Sequence, residues 1–288
     1  MQKLVVKKAS QEQEPFSAVK LRRSMLDSGA SEKVINDIIR KIRNHLVPGT
    51  STAQIHRLAS NMLKVADRTY AARYNLKKAI MQLGPDGFPF ERYFGQLLVH
   101  FGYKVKTNVV VNGQYITHEV DVIAEKHQEN IHAIIEAKFH SHPGRKTGSK
   151  DALYTYARFL DIQNEWENRK KKGAKPKKGK LQSWLVTNTE MSSNAIDYCN
   201  GVGIKVVAWS YPDNSDQSLQ GMIHSTGLYP VTTLTSLNNQ DKKSLIKQDV
   251  ILCKNLLDNR QVLRRAKLSQ RQIENVLSET DKLCGGEN

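Results

Sequence analysis

Three β-type runs follow one another between residues 105 and 138, and they constrain the fold more than any other stretch of the chain. Residues 105–111 and 116–124 are rich in Val and Ile, and Asn112-Gly113 between them favours the positive φ angles of a type I′ hairpin turn. Residues 132–138 form the third run. A helix is predicted ahead of them over 90–101, where Phe90, Phe94, Leu97, Leu98 and Phe101 recur at helical spacing. Behind them a helix (151–166), a strand (181–187), a helix (192–200) and a last strand (204–208) alternate. Helix, hairpin, strand and β–α alternation in that order predict an α/β domain around a mixed central sheet.

That domain accounts for less than half of a 288-residue chain, so further modules are expected. Leu83-Gly84-Pro85-Asp86-Gly87 disfavours any continuing helix and marks a boundary. Ahead of it, Leu4-Val5-Val6 reads as a strand, followed by three amphipathic stripes. These are Ala18, Leu21, Met25, Leu26; Val34, Ile35, Ile38, Ile39, Ile42; and Ile55, Leu58, Met62, Leu63, Val65. Ser31 and Ser51-Thr52 start helices and Pro48-Gly49 ends one, which predicts a short sheet plus about four helices. After Tyr211-Pro212 a polar linker, residues 213–217, leads to candidate helices at 232–237, 242–246, 250–257, 261–266 and 269–283. The chain is thus divided into residues 1–83, 84–212 and 213–288.

No stretch approaches the ~18 uninterrupted apolar residues of a membrane span. The opening MQKLVVKKAS has neither the apolar core nor the cleavage site of a signal peptide, so a cytoplasmic protein without membrane partner is expected. Cys199, Cys253 and Cys284 are odd in number, far apart in sequence and without a C-x-x-C pair, and read as plain core or surface thiols. A net charge of +16 draws polyanions. It is uneven: residues 1–83 hold 16 Lys+Arg against 6 Asp+Glu, residues 84–212 hold 18 against 13, and residues 213–288 hold 10 against 9. The densest run is Arg169, Lys170, Lys171, Lys172, Lys175, Lys177, Lys178 and Lys180, interrupted by no acid. Such a run stays in solvent, as a solubilising loop or, with Lys146 and Lys150, as a set of DNA phosphate contacts.

Asp121 lies inside an apolar strand between Val120 and Val122-Ile123, where an ionised carboxylate is costly unless it is paired or metal-bound. Glu136 and Lys138, at i and i+2 near the end of the next strand, share a face. Two carboxylates suit a hard cation, Mg²⁺ or Mn²⁺, leaving room for water and a phosphate oxygen, and an ammonium beside them can orient the water or hold the phosphate. Glu91 on the preceding helix is a further candidate acid. The bland alternative is a strand-end ion pair between Glu136 and Lys138. His140 and His142 form an H-x-H pair, read as loop polar groups rather than metal ligands.

Asp121 with Glu136-Ala137-Lys138 resembles the PD-(D/E)xK nuclease motif in the E-x-K form of Mrr-type restriction endonucleases and archaeal Holliday-junction resolvases. Phe90-Glu91-Arg92-Tyr93-Phe94 through Val105 resembles that family's opening helix, and Trp184-Leu185-Val186-Thr187-Asn188 through Gly203-Ile204 its closing strand-helix-strand. Val120 stands where the motif has Pro. The resemblance implies a restriction endonuclease-like fold and metal-dependent hydrolysis of DNA, with Asp121 and Glu136 on the metal and Lys138 and Glu91 as catalytic partners.

Val5-Val6-Lys7-Lys8, Phe16-Ser17-Ala18-Val19-Lys20-Leu21 and Ala71-Ala72-Arg73-Tyr74 resemble the ATP-cone, the nucleotide-binding regulatory module of ribonucleotide reductases. That resemblance implies an ATP or dATP ligand, with Lys7, Lys8 and Lys20 on the triphosphate and Val5 and Phe16 bordering the base. Ala9-Ser10-Gln11 replaces the usual polar-Gly turn. Thr233-Leu234-Thr235-Ser236-Leu237 and residues 245–250 resemble helix-hairpin-helix units without their Gly-rich hairpin, so a helical dimerisation segment is an equal reading. Together these predict a multidomain, homo-oligomeric, nucleotide-regulated DNA endonuclease. The alternatives are a DNA-binding protein on an inactive nuclease fold and an oligomerisation factor.

Overall fold

The computed structural model describes residues 5–7, 13–47, 49–142, 144–171, 179–213 and 216–285. The sequence reading divides the chain in three, whereas its packing forms two units, residues 1–79 with 231–288, and residues 80–230.

In the first unit β1 (Val5–Lys7) and β2 (Gln13–Pro15) form an antiparallel pair. The helices α1 (Ala18–Leu26), α2 (Glu32–His45), α3 (Thr52–Ala66) and α4 (Arg68–Tyr74) follow, and α5 (Leu76–Met81) runs across the division. Side-chain caps start three of them: Ser17 Oγ accepts the Lys20 N–H, Ser51 with Gln54 closes a capping box, and the Asp67 carboxylate accepts the Thr69 N–H. Ile35, Ile38, Ile39 and Ile42 line one face of α2 at i, i+3, i+4, i+7 and build the core with Met25, Ile55, Ala59 and Leu63.

The second unit holds a five-stranded sheet of β3 (Lys104–Asn112), β4 (Thr117–Lys126), β5 (Ile131–Lys138), β7 (Lys180–Thr187) and β9 (Lys205–Val207), in that spatial order. β3, β4 and β5 pair antiparallel, β5, β7 and β9 parallel, so the sheet is mixed as expected. A small parallel ladder joins β6 (Lys146–Thr147) to β8 (Glu190–Met191). The helices are α6 (Phe88–His100), α7 (Ser149–Lys171), α8 (Ser193–Val202) and α9 (Leu219–Thr226). α6 buries Phe90, Tyr93, Phe94, Leu97 and Leu98 to 1% exposure or less. Each such side chain contributes about 1.5–3 kcal/mol of burial. The Tyr93 hydroxyl donates to the Leu228 carbonyl at 2.8 Å, which ties the end of the α9 segment to α6 and puts it in this unit.

The hairpin between β3 and β4 is present, but its turn is not the predicted two-residue one. Asn112 pairs with Thr117, leaving a four-residue loop, and neither Asn112 nor Gly113 has a positive φ. The reason lies on α7, where Asp161 accepts the Tyr115 N–H at 3.1 Å and His118 Nε2 at 2.7 Å. A Cβ on Gly113 would stand 1.9 Å from Asp161 Oδ2, so the close approach of loop and helix requires glycine.

The C-terminal helices belong to the first unit: α10 (Asn239–Lys247), α11 (Asn255–Asp258), α12 (Gln261–Arg265) and α13 (Gln270–Cys284). Residues 231–233 make a single 3-10 turn where a helix over 232–237 is predicted. Residues 250–253 are not helical, because Asp249 turns left-handed (φ 62°) and the Val250 N–H closes back on the Leu245 carbonyl. Glu279 of α13, 3% exposed, accepts the Thr235 and Ser236 N–H groups at 2.7 and 2.8 Å.

Candidate functional site

The register of the sheet assembles the site. The β4–β5 ladder runs from Lys126 opposite Ile131 to Val122 opposite Ile135, and its next step sets Asp121 opposite Glu136. Opposed residues of neighbouring strands share a face, and Lys138, two residues beyond Glu136, shares it too. Backbone pairing stops at this point because Asp121 Oδ2 takes the Ala137 N–H, at 2.7 Å. On its other side the β3–β4 ladder omits Asn108, which stands opposite Asp121 with a left-handed φ of 54°.

α7 supplies the surrounding charges. Asp151, Tyr154, Arg158 and Asp161 recur at helical spacing along it. Arg158 Nη1 donates to Glu136 Oε2 and to the Glu119 carbonyl, and its Nη2 donates to the Tyr154 hydroxyl at 2.9 Å. Lys138 Nζ pairs with Asp151 Oδ1 at 3.2 Å, and its side chain is 42% exposed. The ion pair imagined between Glu136 and Lys138 is therefore replaced by two pairs that reach to α7.

Glu91, on α6, is 7% exposed, and its Oε2 is buried without a hydrogen-bond partner. Burial pushes its carboxyl up to about 7, reinforced by the charges of Asp121, Glu136 and Glu119. Burial likewise raises Asp121, opposed by the Ala137 N–H and by Arg158. Glu136 is raised by burial and then by Asp121, with Arg158 and Lys138 acting against the shift. Three carboxyls thus stand in one another's field, a grouping that a divalent cation relieves.

Among the described residues no three His, Cys, Asp or Glu side chains form a ready-made metal cage. The donor set nonetheless fits a hard cation of the Mg²⁺ type, which takes one or two carboxylates and keeps several waters. Asp121 and Glu136 are oxygen donors on one face, and Glu91 stands in their field with one oxygen unpartnered. His140 does not fit such a role. It is 9% exposed, its Nε2 lies 3.0 Å from Thr147 Oγ1, and burial followed by Arg145 lowers its pKa. His142 Nδ1 lies 3.0 Å from Ser141 Oγ.

The basic residues fall into two groups. Lys146, on β6, and Lys150, in the first turn of α7 beside Asp151, are exposed near the end of β5 that carries Lys138. Arg169 and Lys180 are at the other end, since Lys180 pairs with Ile131 while Lys138 pairs with Thr187. At ~3.3 Å per residue the two ends of β5 are roughly 23 Å apart. Arg169 Nε pairs with Glu165 at 2.7 Å. Lys170 and Lys171 end α7, and Lys172, Lys175, Lys177 and Lys178 lie outside the described residues.

In the first unit Val5 and Lys7 are on β1, and the Lys7 N–H donates to the Thr50 carbonyl at 3.1 Å, which brings the strand to the start of α3. Phe16 packs against the hydrophobic core, Lys20 Nζ pairs with Glu14 at 3.3 Å while 74% exposed, and Lys8 is outside the described residues. Sequence reasoning missed Arg158 altogether. Its only signal is the recurrence of polar groups at 151, 154, 158 and 161 along one helix.

Comparison with known proteins adds kinship. The family described as AF1548-like, C-terminal, matches residues 229–284. An uncharacterized protein of Archaeoglobus fulgidus is 36% identical over 191 residues, covering 66% of this chain and 99% of its own. The crystal structure of the protein of unknown function AF1548 matches with a TM-score of 0.55 and 33% identity, over 70% of this chain and 100% of that one. The structure of Can2 from Sulfobacillus thermosulfidooxidans in complex with cyclic tetra-adenylate matches 75% of this chain and 64% of that one, but at 16% identity and a TM-score of 0.29 it carries no argument. No helix among the described residues is long and apolar enough to cross a membrane.

Proposed function

The chain belongs to the AF1548-like family, and we propose that it is a metal-dependent DNA endonuclease regulated by ATP or dATP. The observation that carries this reading is the set of three carboxyls raised chiefly by burial, Glu91, Asp121 and Glu136, beside Lys138 and Arg158, with one Glu91 oxygen buried and unpartnered. Buried like charges are costly to maintain, and such groupings concentrate where a protein has a chemical use for them.

In this reading Asp121 and Glu136 hold Mg²⁺ or Mn²⁺, with Glu91 as a further ligand or water-positioning acid. Once bound, the ion neutralises charge on the phosphate and acidifies a water. Lys138, half exposed at the end of β5, orients that water or takes up phosphate charge. Arg158 holds the Glu136 carboxylate in place and offers a second cation to phosphate. Lys146 and Lys150 contact the DNA backbone near the site, Arg169 and Lys180 contact it further along the duplex, roughly 23 Å away or about seven base-pair steps, and the other cations of the 169–180 run add phosphate contacts. We read residues 1–83 as an ATP-cone whose Lys7, Lys8 and Lys20 meet the triphosphate and whose Val5 and Phe16 border the base. The C-terminal helices serve self-association in this account.

Incubating the full chain with plasmid and with a four-way junction, in Mg²⁺ or Mn²⁺ and with or without ATP, tests the proposal. Cleavage that requires the metal supports it. Binding without cleavage in every condition favours instead a DNA-binding protein on an inactive fold, a reading consistent with Glu136 being tied to Arg158.

A further inference from the structure

The first unit holds a concentration of positive charge that neither the proposed nuclease site nor the proposed ATP site uses. α1 and α2 leave a cleft of about 370 Å³ between them. Three guanidinium groups, Arg22, Arg40 and Arg43, and two amides, Asn36 and Asn44, give it its polar lining, and no acidic side chain is among the lining residues. From α1 the cleft is lined by Ala18, Val19 and Arg22. Lys20 is two residues from both Ala18 and Arg22, which puts it roughly 200° around the helix from them, so the cleft is separate from the triphosphate site that Lys20 would serve.

The cations of the cleft are held in place yet keep donors to spare. Arg22 donates through Nη1 to Glu32 and through Nη2 to Asn36 Oδ1, which fixes the plane of its guanidinium. Arg40 Nη2 donates to Asp37 at 2.5 Å, a pair exposed on both sides that water screens and a phosphate can replace. Arg43 has no hydrogen bond or ion pair among the described residues. Each guanidinium has five N–H groups, more than these contacts use. Lys33, Asn36, Arg40 and Asn44 follow one another at i, i+3, i+7 and i+11, the solvent-facing row of α2 on the side away from Ile35, Ile38 and Ile42. The row is about 16 Å long, which matches four to five nucleotides of one DNA strand at ~3.4 Å each. No aromatic ring lines the cleft, so it has no platform on which a base could stack. Its chemistry suits phosphate oxygens rather than a nucleobase.

We propose that the α1–α2 cleft docks the phosphodiester backbone of DNA, with a strand running along α2 and its phosphates met by Arg22, Arg40 and Arg43. The identity of the polyanion rests on the DNA-directed function proposed above, to which the cleft adds a contact surface on the first unit. Contacts of this kind position the nucleic acid without reading its sequence.

The test uses the full chain and a short labelled duplex in chelator, so that fluorescence anisotropy reads binding without cleavage over a range of salt. Arg40→Gln combined with Arg43→Gln should weaken binding at least about tenfold at low salt and lower the slope of log K against log salt by about 1.8, equally for duplexes of different sequence. Both side chains are exposed, so the variant should melt like the wild type. Arg40→Lys combined with Arg43→Lys keeps both charges and should keep the slope. In the wild type, duplex should slow hydrogen exchange over residues 33–44. Unchanged affinity and slope in the Gln variant, with wild-type binding intact, would overturn the assignment of the cleft alone. A wild type that binds no duplex even at low salt would overturn the DNA-directed reading and the cleft with it. Loss of ATP binding by calorimetry in the Gln variant, with duplex binding unchanged, would make the cleft a nucleotide site and equally overturn the proposal.

Discussion

Replacing Glu91 by Gln separates the charge of this buried carboxyl from its shape. The Glu91 carboxyl is raised from 4.5 to about 7 in the fold, chiefly by burial and then by Asp121 and Glu136. Between those two pH values the folded chain keeps a proton that the unfolded chain has released. Stability from this group is therefore fully present below pH 4.5 and is lost as pH rises through 7. At 1.36 kcal/mol for each tenfold change in proton affinity, the loss amounts to about 3 kcal/mol. The side chain is only 7% exposed, so solvent screening removes little of it. All three tryptophans, Trp166, Trp184 and Trp209, are in the unit of residues 80–230, and urea unfolding followed by their fluorescence reports on that unit alone. The wild type and Glu91→Gln should be similar at pH 4.5, and the variant should be more stable by about 3 kcal/mol at pH 8. Mg²⁺ at pH 8 should raise the wild-type midpoint and raise that of the variant less. A difference between the two proteins that is the same at both pH values would refute the reasoning.

Arg158→Met removes the guanidinium from Glu136, where both side chains are 15% exposed, and should destabilise the same unit by about 2–3 kcal/mol at pH 7; an unchanged urea midpoint would contradict this. Glu279→Gln weakens two bonds to the Thr235 and Ser236 N–H groups and should cost about 2 kcal/mol, with faster hydrogen exchange over residues 231–236. Exchange left unaltered there would show that the carboxylate charge does not hold the segment. Lys20→Ala in the full chain should weaken ATP or dATP binding at least about tenfold by calorimetry, since a charge-assisted bond to phosphate is lost. Equal affinities would remove Lys20 from the ligand site.

The sheet was legible because its strands carry their own pattern: apolar runs at 105–111 and 132–138, and an Asp where an apolar residue belongs, locate β3, β5 and the carboxylate face. What escaped depends on distant partners. Asn112-Gly113 fits a tight turn locally, but Asp161 holds the wider loop from 46 residues away. Residues 250–253 are apolar enough for a helix, and only the left-handed Asp249 ahead of them shows that they are buried coil. α9 was overlooked because Leu219, Met222 and Ile223 give just one short stripe after a polar linker. Glu91 could be nominated from its place on the helix before the strands, whereas nothing local distinguishes Arg158 from the other charges of α7.

Cleavage of supercoiled plasmid and of a four-way junction by the wild type, Asp121→Asn, Glu136→Gln and Lys138→Ala, each in Mg²⁺ or Mn²⁺ and in chelator, bears most directly on the proposed activity. The account predicts nicked or linear product from the wild type only with metal, and none above background from any variant, while all four proteins melt alike and retain most DNA binding. Wild-type protein that never cuts, or cleavage that survives any two of the three substitutions, would contradict it.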